Sequence, residues 1–178
     1  YLARLAEGNA DIAHAQALRH RSFLAQRGLA AGAGRDVDAF DARCQHVLIE
    51  EAQSGTLVGC YRLLPLPGAD RIGESYSAQF YDLRALAAYP GPVLEMGRFC
   101  LHPDWHDPDI LRLAWGAMTR LVDAGGVRLL FGCSSFAGCD ATAHADALAL
   151  LRGHLAPPEW APRRRAARIY DFGAADVP

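Results

Sequence analysis

Residues 93–103, Val-Leu-Glu-Met-Gly-Arg-Phe-Cys-Leu-His-Pro, constrain the fold of this chain more than any other stretch. Apolar residues at strand-like spacing carry an acid, Glu95, a base, Arg98, and a glycine, Gly97, between them. Charges inside or beside a core are tolerated only when they are paired or used. Strict alternation along a strand sends Glu95 and Arg98 to opposite faces of a sheet. A glycine in a strand pattern signals a β-bulge, and a bulge at Met96–Gly97 resets the alternation so that both side chains reach one cleft. The stretch therefore predicts a bulged strand over 93–101 that carries a site, not ordinary packing.

The flanking pattern predicts the other elements. Leu2–Leu5 reads as a short first strand, and Asn9 as the N-cap of a helix running to about Gln26, with Asp11 in its first turn. Residues 28–34 form a Gly/Ala loop. Two β-type runs, 44–53 and 56–64, flank the hairpin signal Ser54-Gly55. Residues 65–92, rich in Pro, Gly and Tyr, read as loop with a short helix near 75–83. A long helix over 109–124 is closed by Gly125-Gly126. The run 127–133, apolar apart from Arg128, has the mark of a central buried strand, and 142–155 reads as a last helix. This order, β-α-β-β-β-α-β-α with one late parallel crossover, predicts an α/β (α+β) fold in which helices cover a mixed sheet.

At 178 residues, 51% of them hydrophobic, one domain spanning 1–178 is expected, with 157–178 as a Pro/Arg-rich tail. A net charge of −2 gives no basic footprint for nucleic acid. All 18 basic residues are arginine, which excludes phosphate-loop, Schiff-base and pyridoxal-phosphate chemistry, each of which needs a lysine. Cys44, Cys60, Cys100, Cys133 and Cys139 form no C-x-x-C pair and read as free thiols in a reducing cytosol. No stretch has the length of a membrane-spanning helix and no signal-peptide pattern opens the chain, so a cytoplasmic protein is expected. Because the sequence opens at Tyr1 rather than Met, we expect residues upstream of it. His102, Asp104 and His106 mimic a ligand spacing without a third ligand nearby, so no metal is expected. Trp160 with Arg163, Arg164, Arg165 and Arg168 suits either peripheral contact with an anionic membrane, such as the inner membrane, or a solvated basic tail.

Six segments, taken in order, carry a resemblance: Leu-Arg-His-Arg-Ser-Phe at 18–23, Asp-Ala-Phe-Asp at 38–41, Cys-Gln-His-Val-Leu-Ile at 44–49, Val-Gly-Cys-Tyr-Arg-Leu-Leu at 58–64, Leu-Glu-Met-Gly-Arg-Phe-Cys-Leu-His-Pro at 94–103 and Leu-Phe-Gly-Cys-Ser-Ser-Phe-Ala-Gly at 130–138. Over roughly residues 2–160 the chain resembles the bacterial L-ornithine N-acyltransferases of ornithine-lipid synthesis. These are autoinducer-synthase-like, or hemolysin-like, members of the GNAT N-acyltransferase superfamily. Arg21, Phe23, Asp38, Asp41, Arg62, Glu95 and Arg98 are also similar to acyl-homoserine-lactone synthases, while the 132–140 segment favours the ornithine family. The resemblance implies a GNAT-like fold and an enzyme that moves a 3-hydroxyacyl chain from acyl carrier protein to the α-amino group of L-ornithine, giving a lyso-ornithine lipid. An acyl-homoserine-lactone synthase-like enzyme and a non-catalytic GNAT-shaped binding domain are the rival readings.

Acylating an amine requires a neutral nucleophile, and Glu95 on its apolar strand is the candidate base. The competing reading has Glu95 merely pairing with Arg98 or Arg62. A free N–H at the bulge, near Met96 to Arg98, would serve the oxyanion. The splayed strand edge formed by Met96, Gly97, Phe99, Cys100 and Leu101 would bind the acyl-pantetheine arm as an added strand. Asp36, Asp38 and Asp41 would bind the cationic acceptor, and Arg19, Arg21, Arg62 and Arg98 its carboxylate, or else these groups tie a lid to the sheet. Phe23 lies at i+4 from Arg19 on the same helix face, and Ser134 and Ser135 are strand-end substrate contacts. Acetyl-CoA enzymes of this fold carry a glycine-rich pyrophosphate turn where this chain reads His106-Asp107-Pro108-Asp109. Proline lacks a donor and two aspartates put negative charge there. No bound cofactor is expected, and the co-substrate is an acyl carrier protein thioester.

Overall fold

Val47, Leu48 and Ile49 are all buried, so their strand is covered on both faces. Val47 and Ile49 pack toward Ile110, Ala114 and Met118, whereas Leu48 packs toward Ala15 and Leu18. That division organises the whole molecule. The computed structural model describes residues 1–25, 27–29, 32–136, 138 and 140–170. In chain order it has β1 (Leu2–Leu5), α1 (Gly8–Ala25), β2 (Gln45–Glu50), β3 (Leu57–Leu66), the two-residue β4 (Tyr81–Asp82), β5 (Val93–Leu101), α2 (Pro108–Ala124), β6 (Leu129–Gly132), α3 (Ala145–Leu151) and β7 (Arg163–Arg164). The main sheet runs β1-β2-β3-β5-β6, antiparallel except for the parallel β5–β6 pair, and β4 pairs with β7 separately.

α2 covers one face of the sheet. Asp107 caps it by accepting the Asp109 N–H at 2.9 Å, Pro108 occupies the first turn, and Gly125 ends it. Ile110, Ala114 and Met118 recur every four residues and form its buried stripe. Fully burying the larger two contributes about 1.5–3 kcal/mol each. α1 covers the other face, and its inward stripe is unusual: besides Ala15 and Leu18 it buries Gln16, Arg19 and Ser22. A third cluster, Leu64, Leu66, Ala69, Ile72, Leu83, Leu86 and Val93, lies under the 67–92 connection.

The order of the main elements and the strand over 93–101 are as expected, with several differences. Helix α1 begins at Gly8, so Asn9 lies inside it; Asp11 takes the Glu7 N–H (2.8 Å) and so serves the free donors of that end. Its predicted end at Gln26 falls outside the described residues. In place of a helix over 75–83, residues 69–88 form three short 3-10 turns around β4. The last helix is only Ala145–Leu151, flanked by 3-10 turns. β6 is an edge strand, not a central one. Its run is continuously apolar because Leu130 packs toward α2 while Leu129 and Phe131 pack under the loop cluster. Trp160 stacks edge-on against Tyr89 at 5.1 Å and belongs to that cluster, so its ring is not presented as a membrane contact. Among the described residues no helix is long and apolar enough to cross a membrane.

Candidate active site

In the β3–β5 ladder Cys60 faces Cys100 and Arg62 faces Gly97, so Arg98 and Phe99 together oppose the single residue Tyr61. This is the bulge, one to two residues later than Met96–Gly97. Arg98, not glycine, takes the left-handed conformation there, with φ 53°. The reset brings Glu95 and Arg98 to one cleft of about 480 Å³. The parallel pairing of β5 with β6 stops at Met96–Gly132, and the cleft opens beyond that point. Gly132 permits the close approach of the two strands: a Cβ there would meet the Met96 carbonyl oxygen at 2.3 Å. Met96, Gly97, Phe99, Phe23, Ser134 and Ser135 line the opening, with Leu111 and Trp115 of α2 on its other side.

Behind the cleft, three aspartates and three arginines neutralise one another. Arg19 is 1% exposed and grips both Asp41 oxygens at 2.9 Å, with Asp36 3.0 Å from its Nε. Arg62 grips Asp38 with both terminal nitrogens (2.6 and 2.7 Å) and reaches Asp41 at 2.7 Å. Arg98 bonds Asp36 at 3.0 Å, Asp38 at 3.2 Å and the Tyr76 hydroxyl at 3.3 Å. Gln16 donates to Asp41 at 2.9 Å. Burial alone would raise the Asp41 carboxyl, but hydrogen bonds from Arg19, Gln16 and Arg62 outweigh it and hold the group well below the usual carboxylate range. Asp38 is likewise held low, where Arg62 overcomes burial. The geometry is that of a closed network fastening α1 and the 36–41 segment to β3 and β5. Arg62 and Arg98 line the cleft, and Asp36, Asp38 and Arg98 are each about one quarter exposed.

Glu95 pairs with neither Arg98 nor Arg62. It is 4% exposed and accepts three hydrogen bonds: Tyr76 N–H on Oε2 (2.7 Å), and Ser77 N–H (2.7 Å) and Ser77 hydroxyl (2.6 Å) on Oε1. Cys133 Sγ in turn donates to Ser77 Oγ at 3.1 Å. The Tyr76 ring packs against Phe40 and Phe80, and the Arg98 guanidinium lies over it at 5.0 Å. Tyr76, Ser77, Phe40 and Cys133 are site residues that motif reading passes over. The available signal is the long irregular connection itself, since such loops commonly hold functional groups.

Three expected contacts lie elsewhere. Arg21 turns outward to His102 Nε2 (2.8 Å) and Asp104 (2.7 Å). Cys100 is buried toward α1, its sulfur 3.6 Å from that of Cys60, because it follows the bulge and so faces away from the cleft. Leu101 lines a separate groove with Ser22, whose hydroxyl bonds its carbonyl. Burial, then the neighbouring Arg21, lowers the His102 pKa. At the N-terminus of α2 the Asp107 carboxylate occupies the anion position, and it also accepts the Tyr1 hydroxyl at 2.9 Å.

Residues 18–116 match the acetyltransferase (GNAT) domain family. The chain is 34% identical to an L-ornithine N(alpha)-acyltransferase of Rhodobacter capsulatus, over 99% of this chain and 73% of that protein. It is 36% identical to the protein of the same name from Rhizobium meliloti, over 89% of this chain but only 58% of that one. An acyl-homoserine-lactone synthase of Agrobacterium fabrum is 34% identical over 47% of this chain and 45% of its own length. Among solved structures, a probable acetyltransferase superposes with TM-score 0.52 at 10% identity, over 96% of this chain and 99% of that one. The lactone synthase LasI superposes with TM-score 0.50 at 18% identity, over 73% of this chain and 70% of its own.

Proposed function

The chain belongs to the GNAT acyltransferases, in the branch of the L-ornithine Nα-acyltransferases, and from that premise we propose that it moves a 3-hydroxyacyl group from a carrier-protein thioester to the α-amino group of L-ornithine. The observation that carries this reading is the end of β5–β6 pairing at Met96–Gly132, beside a buried carboxylate. The thioester arm lies along β5 beyond Met96 as an added strand, and Met96, Gly97 and Phe99 line its path. Glu95 is the base. Among the described residues its Oε2 accepts only the Tyr76 N–H, which leaves that oxygen a lone pair for the proton of the attacking amine. Backbone N–H groups at the bulge receive the oxyanion. The amine forms a C–N bond, the C–S bond breaks, and the carrier leaves as its thiol. Arg98, open toward the cleft, takes the acceptor carboxylate. The remaining Asp/Arg pairs hold Arg98 and α1 in place, with Arg62 at the cleft wall.

A carrier-protein donor is favoured over CoA because Asp107 already fills the α2 N-terminus where a pyrophosphate would sit. The test is incubation with 3-hydroxyacyl carrier protein or the matching acyl-CoA and a panel of amino acids, read by mass spectrometry. The acyl-ornithine mass is expected, with kcat/KM higher for the carrier donor. No acylated amino acid, or a lactone product, would sink the assignment, and equal kcat/KM for both donors would sink the carrier preference.

A further inference from the structure

We propose that Arg165, in the tail that follows α3, is a positioning residue for the acyl transfer: together with β7 it ties down the turn whose N–H groups hold Glu95. This deepens the acyl-transfer reading and rests on Glu95 as its base. Glu95 belongs to β5, yet among the described residues the donors to its carboxylate all come from one turn. They are the Tyr76 N–H, the Ser77 N–H and the Ser77 hydroxyl. That turn is a single 3-10 element, Ser77–Gln79, and its N-cap, Tyr76, supplies no side-chain bond. Short 3-10 pieces have poor internal hydrogen-bond geometry, so such a turn takes its position from its neighbours.

The tail fastens this turn from outside. Arg165 Nη1 donates to the Ala78 carbonyl, one residue beyond Ser77. Three residues further on, β4 pairs antiparallel with β7, Tyr81 opposite Arg164 and Asp82 opposite Arg163. Earlier in the tail, Trp160 stacks edge-on against Tyr89 at 5.1 Å, so the segment is anchored at both ends of the 78–89 connection. Between these points the tail does not lie flush. A cavity of about 620 Å³ is lined by Arg164, Arg165, Ile72, Ala78 and Leu83. The turn therefore has space to shift into, and the bond from Arg165 decides where it stays. Arg165 is absent from the wall of the active-site cleft. Its effect on the reaction thus runs through the placement of Glu95 and not through contact with substrate. A displacement of about 1 Å in a reacting group costs up to roughly 10²-fold in rate, which is the lever such a remote fastening holds.

The test is a double-mutant cycle on turnover, paired with amide hydrogen exchange. Arg165→Ala should keep its melting temperature and the KM of both substrates, while kcat falls by roughly 10–10²-fold. Arg165→Lys, which keeps a cationic donor, should recover most of that loss. Exchange at the Tyr76 and Ser77 amides should quicken at least about tenfold in Arg165→Ala, with β2 and β3 unchanged. In a Glu95→Gln background the same substitution should lower kcat by less than about twofold, because the group it positions is already gone. Should Arg165→Ala lose its fold, Arg165→Met keeps the length of the stem without the donor and repeats the measurement. A normal kcat, a loss carried by KM, unchanged exchange at 76–77, or equal losses with and without Glu95→Gln each overturns the proposal. Acyl-ornithine made at full rate by Glu95→Gln would overturn the base assignment and the positioning role with it. A large loss in Glu95→Gln beside normal turnover in Arg165→Ala would overturn the positioning role alone.

Discussion

Replacing Asp41 by Asn removes one charge from the centre of the Asp/Arg network while keeping the side chain's shape. Asp41 accepts from both terminal nitrogens of Arg19, from Arg62 and from Gln16. Arg62 retains its two hydrogen bonds to Asp38, and among the described residues Arg19 retains Asp36 as its one acidic partner. The variant is left with one surplus cation among side chains that are 1% and 3% exposed. Breaking a buried pair by removing one partner costs about 3–5 kcal/mol, a large part of the ~5–15 kcal/mol that holds a domain together. At ~2–4 °C per kcal/mol for a chain of this size, the melting temperature should fall by about 6–20 °C. The pH dependence carries a sign. The folded Asp41 carboxyl lies below its unfolded value of about 3.9, so its contribution is complete above that pH and is lost as pH falls through the lower folded value. Urea unfolding at pH 7 should show the full loss, and the gap between wild type and Asp41→Asn should narrow below about pH 4. A pH 7 stability within 1 kcal/mol of wild type, or a gap that widens in acid, would refute the buried-network account.

Glu95→Gln keeps acceptors for Ser77 but sets an amide N–H₂ against the Tyr76 N–H, so it should cost about 1–3 kcal/mol and lower kcat by roughly 10²–10⁴-fold; a kcat near wild type would remove Glu95 from the chemistry. Arg98→Gly and Arg98→Ala both lose the Asp36 and Asp38 contacts, yet only Gly accepts φ 53° freely, so in urea Arg98→Gly should be the more stable by about 1–2 kcal/mol; equal stabilities would mean the bulge relaxes. Gly132→Ala drives a Cβ into the Met96 carbonyl and should displace β6, with a loss of both melting temperature and turnover; an unchanged melting temperature would show that the two strands separate there without cost.

Much of this was legible because it is local. The strand over 93–101 is bounded by turn residues, and α2 announces its ends through Asp107, Pro108 and Gly125. The bulge was legible as an event but not as a position, since the left-handed residue is Arg98, whose strain is held by ion pairs to residues about sixty positions away. The same reason hid Tyr76 and Ser77: their bonds to Glu95 span 19 and 18 residues, and nothing in their neighbours' spacing marks them. The 3-10 turns of 69–88 depend on burial of Ile72, Leu83 and Leu86 under β3 and β5, a tertiary effect that overrides local propensity. Arg19, Arg62 and the aspartates were visible as a group, but whether they bind substrate or one another is decided only by the packing of α1 on the sheet.

The early end of the β5–β6 ladder carries a liability as well. From Gly97 to Leu101, about 17 Å of β5 has no strand on its outer side among the described residues. Backbone donors and acceptors in that stretch are open to any extended chain, and a pantetheine arm is only one such chain. A strand from an unfolded neighbour, or a short peptide with alternating small and apolar side chains, competes for the same edge. The flanking Leu111 and Trp115, both well exposed, add an apolar wall that favours such capture. Strand-forming peptides are thus expected to compete with the donor for this one edge.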